Sequence, residues 1–417
     1  MPNESVAPAA GAGALSHLRV LDLSRILAGP WCSQNLADMG ADVIKVERPG
    51  AGDDTRVWGP PWLNPAEGAD RADSTYFAAA NRGKRSITVD IARPDGQALI
   101  RQLAAVSDVV IENYKIGDLK RYGLDYAALS AINPRLVYCS ITGYGQDGPS
   151  ARKPGYDFVF QGMGGLMSIT GERDDLPGGG PQKAGIAIAD VITGMYATIA
   201  ILSALQHRTV SGTGQYIDMA LLDCIVALGG NQVTGYFANG KVPGRYGNAH
   251  ASLVPYQVFT VADGEIVVAV GNDTQWQQYC AAIERADLAA DPRWHKVTGR
   301  VTGRQTLVPE LARTMLTRGR DEWLSRLEAA GVPCGPINNY EQVFEDVQVR
   351  HRKLRVDLKR PDGSTVATIA SPLRLQGTPP VYDRAPPALG DATDAVLTDL
   401  LGMARDQVER LRKDGIV

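Results

Sequence analysis

The first half of the chain is constrained most by a repeated change of hydrophobic period. Leu18 to Leu23 (LRVLDL) is a short apolar run suited to a buried strand. The turn residues Ala28-Gly29-Pro30 follow it, then a helical pattern through Leu36 and Met39 that stops at Gly40, then a second apolar run, Ala41 to Val46. Apolar runs of strand length separated by a helix belong to the strand–helix–strand unit of a parallel sheet. The pattern recurs: strand-like Ser86 to Ile91, an amphipathic helix over Asp95 to Val106, a strand at Asp108 to Ile111, helical Tyr126 to Ile132, and a strand at Leu136 to Ile141. The alternation predicts an α/β fold with an open, doubly wound parallel sheet, forming a large domain over residues 17–210.

The rest of the chain divides by composition. Residues 1–16, rich in Ala, Gly and Pro, read as a disordered leader, and Gly143 to Gly180 as loops at strand ends. An apolar stretch from Gln215 to about Tyr236 predicts a linker helix within 211–246. Tyr256 to Thr260 and Glu265 to Val270 flank Ala262-Asp263-Gly264, a hairpin signal, and helical patterns follow at Thr274 to Ile283, Leu307 to Leu316 and Arg320 to Ala330. Residues 247–330 therefore form a smaller α+β domain. Residues 331–417, with a hairpin around Pro361-Asp362-Gly363 and two terminal helices, return to complete the large domain.

Composition excludes several functions. A formal net charge of -3 argues against nucleic acid or an anionic membrane as the main partner. The five cysteines are widely spaced without a CxxC, which suits a reducing compartment and excludes a thiolate zinc site. The five histidines show no metal-ligand spacing, so no metal is expected. No apolar run is long and uninterrupted enough to span a bilayer, and a cytoplasmic protein is the expectation.

Chemistry points to one acid and several cations. In Lys183 to Arg208 a run of small and apolar residues is interrupted by Asp190 just where a helical pattern begins. An Asp there is either a helix cap or a carboxylate nucleophile in apolar surroundings, and the local pattern leaves both open. Lys45 and Arg48 close the second strand; Arg82, Lys84 and Arg85 precede the third. Asn113 and Tyr114 follow the fourth, with Lys115, Lys120 and Arg121 behind them. Cations at successive strand ends can meet the phosphates of a nucleotide-like ligand.

Ordered runs along nearly the whole chain resemble the family III CoA-transferases, the group that includes formyl-CoA transferase and the succinyl-CoA:glutarate CoA-transferases. They are Leu21-Asp22-Leu23-Ser24-Arg25 with Ala28-Gly29-Pro30, Gly40 to Glu47, Asn81 to Ser86, Val110 to Tyr114, Ser140 to Gly145, Gly155-Tyr156-Asp157 and the Asp190 segment. The resemblance implies a large Rossmann-like domain built from both chain ends, a small middle domain, and two subunits interlocked as a homodimer. It places the nucleophile on Asp190. It places coenzyme A contacts on Arg25, Ile26, Leu27 and Ala28, on Arg48 and Val89, and on Asn113, Tyr114 and Arg121, with Tyr156 lining the thioester end. The CoA thioester is then a substrate, exchanged with a small carboxylic acid, and no cofactor is permanently bound.

Departures narrow the substrate. Leu27 stands where formyl-CoA transferase has Gln, and that enzyme's glycine-repeat loop is missing from the small domain, which disfavours formate and oxalate. Val254-Pro255-Tyr256-Gln257 and Gly335 to Asn339 are closest to the succinyl-CoA:dicarboxylate branch. A dicarboxylate calls for a cation at its far carboxylate, for which Arg82 is the first candidate and Arg245 the second. Two alternatives are an α-methylacyl-CoA racemase and a non-catalytic CoA-binding protein. The racemase branch has a His where this chain has Tyr156, which disfavours it.

Overall fold

A computed structural model of the chain describes residues 13–63 and 73–417. The chain forms two compact units. One comprises Met1–Leu166, Ala184–Gly230 and Arg350–Val417; the other comprises Met167–Lys183 and Asn231–Val349.

The larger unit is built on a six-stranded parallel sheet: β1 (Arg19–Asp22), β2 (Asp42–Glu47), β3 (Lys84–Thr88), β4 (Val109–Glu112), β5 (Val137–Thr142) and β6 (Tyr216–Ala220), in the order β3-β2-β1-β4-β5-β6. Its helices are α1 (Ala28–Asp38), α2 (Thr75–Ala79), α3 (Pro94–Ala105), α4 (Tyr126–Ile132), α5 (Asp157–Met163), α7 (Ile188–Ser211) and α8 (Leu221–Leu228), while all but the first residue of the short α6 (Leu166–Ile169) falls in the smaller unit. Both faces of the sheet are covered. Val20, Val43, Val109 and Ile111 pack with α1 and α7, whereas Leu21, Ile44, Ile87 and Val110 pack with α3 and the C-terminal segment. Burial on both faces explains why the strands read as unbroken apolar runs. The strand order reverses at β1, whose direct neighbours are β2 and β4, and ligands of such sheets bind beyond the carboxyl ends of the strands at that point.

Two expectations change here. The predicted linker helix from Gln215 begins instead as β6, paired parallel to β5 from Tyr138↔Tyr216 to Thr142↔Ala220, and passes straight into α8 and then a helix at Gly230–Asn239. Strand and helix share one continuous apolar stretch with no turn residue between them, so periodicity does not divide it. Of the predicted leader, residues 1–12 lie outside the described residues. Residues 13–16 form a turn whose Leu15 N–H donates to Met39 O at 2.8 Å.

The smaller unit carries the predicted hairpin as β7 (Tyr256–Val261) and β8 (Gly264–Ala269). Cys334–Pro336, placed by sequence in the return segment, is the third strand of this sheet. Phe259, Ile266, Trp276, Leu311 and Trp323 belong to its own core.

At 24 residues, α7 is the one described helix long and apolar enough to cross a membrane. Its Ala189, Thr193, Gly194, Ala197, Ile201 and Leu205 are buried, and the aliphatic and alanine side chains among them join the sheet core with α1. Gly194 permits the contact with α1, because a Cβ there would stand 2.6 Å from Ala28 O and 3.0 Å from Trp31 Cβ. Gly194→Ala gains about 1 kcal/mol of helix propensity but overpacks against a backbone carbonyl, at about 1–3 kcal/mol. We expect a net loss of stability, read as a lower urea midpoint at unchanged m-value.

Candidate active site

The site begins with the loop between β1 and α1. Asp22, at the end of β1, is fully buried and accepts from Ser24 N (2.9 Å), Ser24 Oγ (2.5 Å), Ser33 Oγ (2.5 Å) and Lys84 Nζ (3.2 Å). Burial lifts its carboxyl, but the charges of Lys84 and Lys45 and the serine hydroxyls outweigh that and hold it below the usual carboxylate range. Beside it Lys45 Nζ donates to Asp53 at 2.8 Å and to Ser24 O at 3.0 Å. Asp53 also accepts the N–H of Ile26 at 3.2 Å. Ile26 has φ 70°, a left-handed conformation rarely taken by a β-branched residue. The next residue, Leu27, is the N-cap position of α1.

The loop is tied across the switch point to β4. Arg25 N donates to Asn113 Oδ1 at 2.9 Å, and Asn113 Nδ2 donates back to Arg25 O at 2.8 Å. The Arg25 guanidinium stands 5.7 Å from the Tyr114 ring centre and pairs with Asp54 at 2.8 Å. Arg25, Ile26, Leu27, Ala28, Asn113 and Tyr114 are thus brought together. Arg48 and Arg121 are exposed, and Arg121 lies over Tyr122 with Asp118 at 3.6 Å. Val89 does not join them: it is 2% exposed inside the sheet core, so its side chain is closed to a ligand.

Asp190 occupies the first turn of α7, whose N-cap position is Ala187. It does not cap the helix. That role belongs to Asp157, the first residue of α5, whose Oδ1 accepts Ala189 N at 2.7 Å and Asp190 N at 3.2 Å, while Oδ2 accepts Gln161 Nε2 at 2.6 Å. Among the described residues nothing donates to the Asp190 carboxylate. Burial first, and the Asp157 charge second, push its carboxyl up to about 7. The charges of Asp190 and Asp157 also contribute to raising the Tyr76 phenol, after burial, which puts α2 within electrostatic reach of both acids. Tyr156, the N-cap residue of α5, is 65% exposed. Two carboxylates therefore meet at one helix start: one accepts three hydrogen bonds, the other is half-buried and accepts none among the described residues.

Comparison with known proteins follows the same lines. The profile of CoA-transferase family III matches residues 15–393. The chain belongs to CoA-transferase family III. It is 47% identical over 386 residues to a succinate–glutarate CoA-transferase of Agrobacterium fabrum, covering 93% of this chain and 95% of that protein. It is 40% identical over 403 residues to the Homo sapiens succinyl-CoA:glutarate CoA-transferase, covering 97% and 90%. A crystal structure of a CAIB/BAIF family protein from Brucella suis superposes with a TM-score of 0.82 at 46% identity, covering 93% of this chain and all of that one. The protein is an enzyme, a CoA-transferase.

Several sequence-chosen cations are corrected. Arg82 is buried and gripped by Asp38 through Nε at 2.8 Å and a second nitrogen at 2.6 Å. Asp38 ends α1, about 15 Å of helix rise from its start, so Arg82 lies at the sheet's opposite end. Arg85 pairs there with Asp42, in a cleft also lined by Asp383 and Arg384. Lys45 and Lys84 are sealed inside the network already described. Arg245, in the smaller unit, pairs with Asp174 and donates to Glu172 O and Ser168 O, both at 3.2 Å, so it braces its own unit. Sequence reasoning missed Asp53, Tyr76 and Gln161, none of which stands in a recognisable motif.

Lys45→Met strands the Asp53 carboxylate without its cation, and a loss of about 3–5 kcal/mol is expected at pH 7. Burial raises the Asp53 carboxyl, but Lys45 and the Thr55 hydrogen bonds hold it below its ordinary value in the native enzyme. Its contribution is therefore present above the ordinary carboxylate range and lost as pH falls through the native value. Without Lys45 the stranded carboxylate is relieved by protonation, so the stability gap, read by urea denaturation, should narrow on acidification.

Proposed function

We propose that the enzyme moves coenzyme A from succinyl-CoA to a small dicarboxylic acid, with Asp190 as nucleophile. The observation that carries this reading is the division of labour at the start of α7: Asp157 takes up the helix amides, and Asp190 is left unbonded in an apolar setting. The names and identities of the relatives support succinyl-CoA as donor and a dicarboxylate as acceptor.

The steps balance without a net proton. The Asp190 carboxylate adds to the thioester carbonyl and expels CoA thiolate, leaving a succinyl–aspartyl anhydride. The thiolate attacks the aspartyl carbonyl, releases succinate and forms an aspartyl-CoA thioester. The acceptor carboxylate displaces the thiolate from that thioester to give a second anhydride. Thiolate then attacks the acceptor's carbonyl, forming the new acyl-CoA and restoring the Asp190 carboxylate. The loop Arg25 to Ala28, with Asn113 and Tyr114, holds the CoA; Arg48 and Arg121 meet its phosphates, and Tyr156 lines the acyl end. A raised carboxyl suits the nucleophile because its basicity is higher and its covalent states are uncharged.

We propose further that the enzyme is an interlocked homodimer in the cytoplasm. Phe158 and Met163 on α5, Met195 and Ile199 on α7 and Val226 on α8 are exposed apolar side chains of the kind a partner covers. All five cysteines are free thiols. Sedimentation at micromolar concentration should give twice the chain mass; a monomer would remove this part of the reading.

Asp190→Asn should lower transfer by roughly a thousandfold or more while CoA still binds. The reading fails if that variant turns over normally. Because Asp190 reacts as the anion, kcat/KM should rise with pH through about 7 in the native enzyme. Asp157→Asn keeps an oxygen for the helix amides but turns a donor toward Gln161 Nε2 and removes the charge, so the rise should move to lower pH.

A further inference from the structure

Beneath the two acids lies a polar side chain that the mechanism above does not use. Gln161, on α5, is completely buried. Its Nε2 donates to Asp157 Oδ2 at 2.6 Å and to Ile186 O at 3.3 Å, and its Oε1 accepts the N–H of Ala184 at 2.8 Å. Both amide hydrogens and the oxygen are therefore engaged. The amide can take only one orientation, since a flip would set its oxygen against the Asp157 carboxylate and the Ile186 carbonyl, and its NH2 against the Ala184 N–H.

The three contacts have one thing in common. Ala184 and Ile186 belong to the segment that enters α7, and Asp157 holds the amides of Ala189 and Asp190. One buried side chain thus fixes both the strand of backbone leading to the nucleophile and the acid that orients the nucleophile's own peptide.

Resting on the reading of Asp190 as nucleophile, we propose that Gln161 is a positioning residue for the transfer, clamping Asp157 and the Ala184–Ile186 backbone so that the Asp190 carboxylate is held in one attacking orientation. A misplacement of the nucleophile by an ångström is enough to slow a step of this kind by about a hundredfold. Gln161→Leu keeps the volume and removes all three hydrogen bonds. The groups facing Asp190 that titrate are Asp157 on α5 and Tyr76 on α2; loosening the clamp lets water reach Asp190 and moves Asp157 away from it.

Two readouts test this on the full-length enzyme. The first compares steady-state transfer from succinyl-CoA to glutarate. Gln161→Leu should lower kcat by about a hundredfold, with KM for succinyl-CoA within about threefold, and should be non-additive with Asp157→Asn because both act through one clamp. The second needs no turnover: labelling of Asp190 by a water-soluble carbodiimide, followed by peptide mass spectrometry across pH, whose midpoint should fall in Gln161→Leu. A kcat within twofold of the native enzyme together with an unchanged labelling midpoint overturns the proposal. So does a loss in which kcat and CoA affinity fall together with the thermal midpoint while labelling is unchanged, since that marks a merely structural residue. If the native enzyme transfers nothing from succinyl-CoA, the substrate reading fails, and the labelling midpoint still decides whether Gln161 positions Asp190.

Discussion

The loop between β1 and α1 depends on a charge pair that water never reaches. The side chains of Lys45 and Asp53 are fully buried 2.8 Å apart, and each has further partners: Ser24 O for the amine, Thr55 and the Ile26 N–H for the carboxylate. A buried pair of this kind adds little net stability, because desolvation of both ions offsets their attraction. What it does here is specify a backbone. Ile26 with φ 70° carries strain of about 1–3 kcal/mol, and the Asp53 carboxylate supplies the hydrogen bond that keeps it there. Once Ile26 is fixed, Arg25 can exchange two hydrogen bonds with Asn113 across the switch point. The loop proposed to hold coenzyme A is thereby ordered before any ligand arrives, which lowers the entropy that binding must overcome.

The start of α7 shows the same strategy with charges of like sign. A helix N-terminus favours a nearby carboxylate, and the first carboxylate in reach would ordinarily be the one on the helix itself. Asp157 arrives from α5 instead and takes two of the open amides, so the stabilisation that could have quieted Asp190 goes to its neighbour. Asp190 then experiences burial and a nearby negative charge, both of which disfavour its anion.

How much of this could be read from sequence follows from the range of each interaction. The strand–helix alternation is local, and β1 to β5 fall close to where the apolar runs place them, with the hairpin at Ala262-Asp263 equally legible. β6 was illegible because five strand residues run directly into α8 without a turn. Charged residues fared worst. Arg82, Lys84 and Arg245 look alike as solvent-facing cations, but their partners lie 44, 62 and 71 residues away in the chain. A sequence shows that a charge exists and not what neutralises it. At Asp190 the local pattern correctly signalled that a helix start needs an acid, yet the acid that fills the need stands 33 residues earlier.

That displacement has a chemical consequence specific to transfer between acyl groups. In the proposed cycle Asp190 alternates between a carboxylate and acyl derivatives that carry no charge on its oxygens. Asp157's charge raises the energy of the first state alone, because it has no charge to oppose in the anhydride or the thioester. The free carboxylate is brought nearer in energy to its covalent forms, and nothing is lost when the anhydride must be opened again. A hydrogen-bonded Asp190 would do the reverse: its resting state would lie deep and every acylation would have to climb out of it. On the proposed reading, keeping the cap and the nucleophile on separate residues is therefore what lets one helix start be both well formed and reactive.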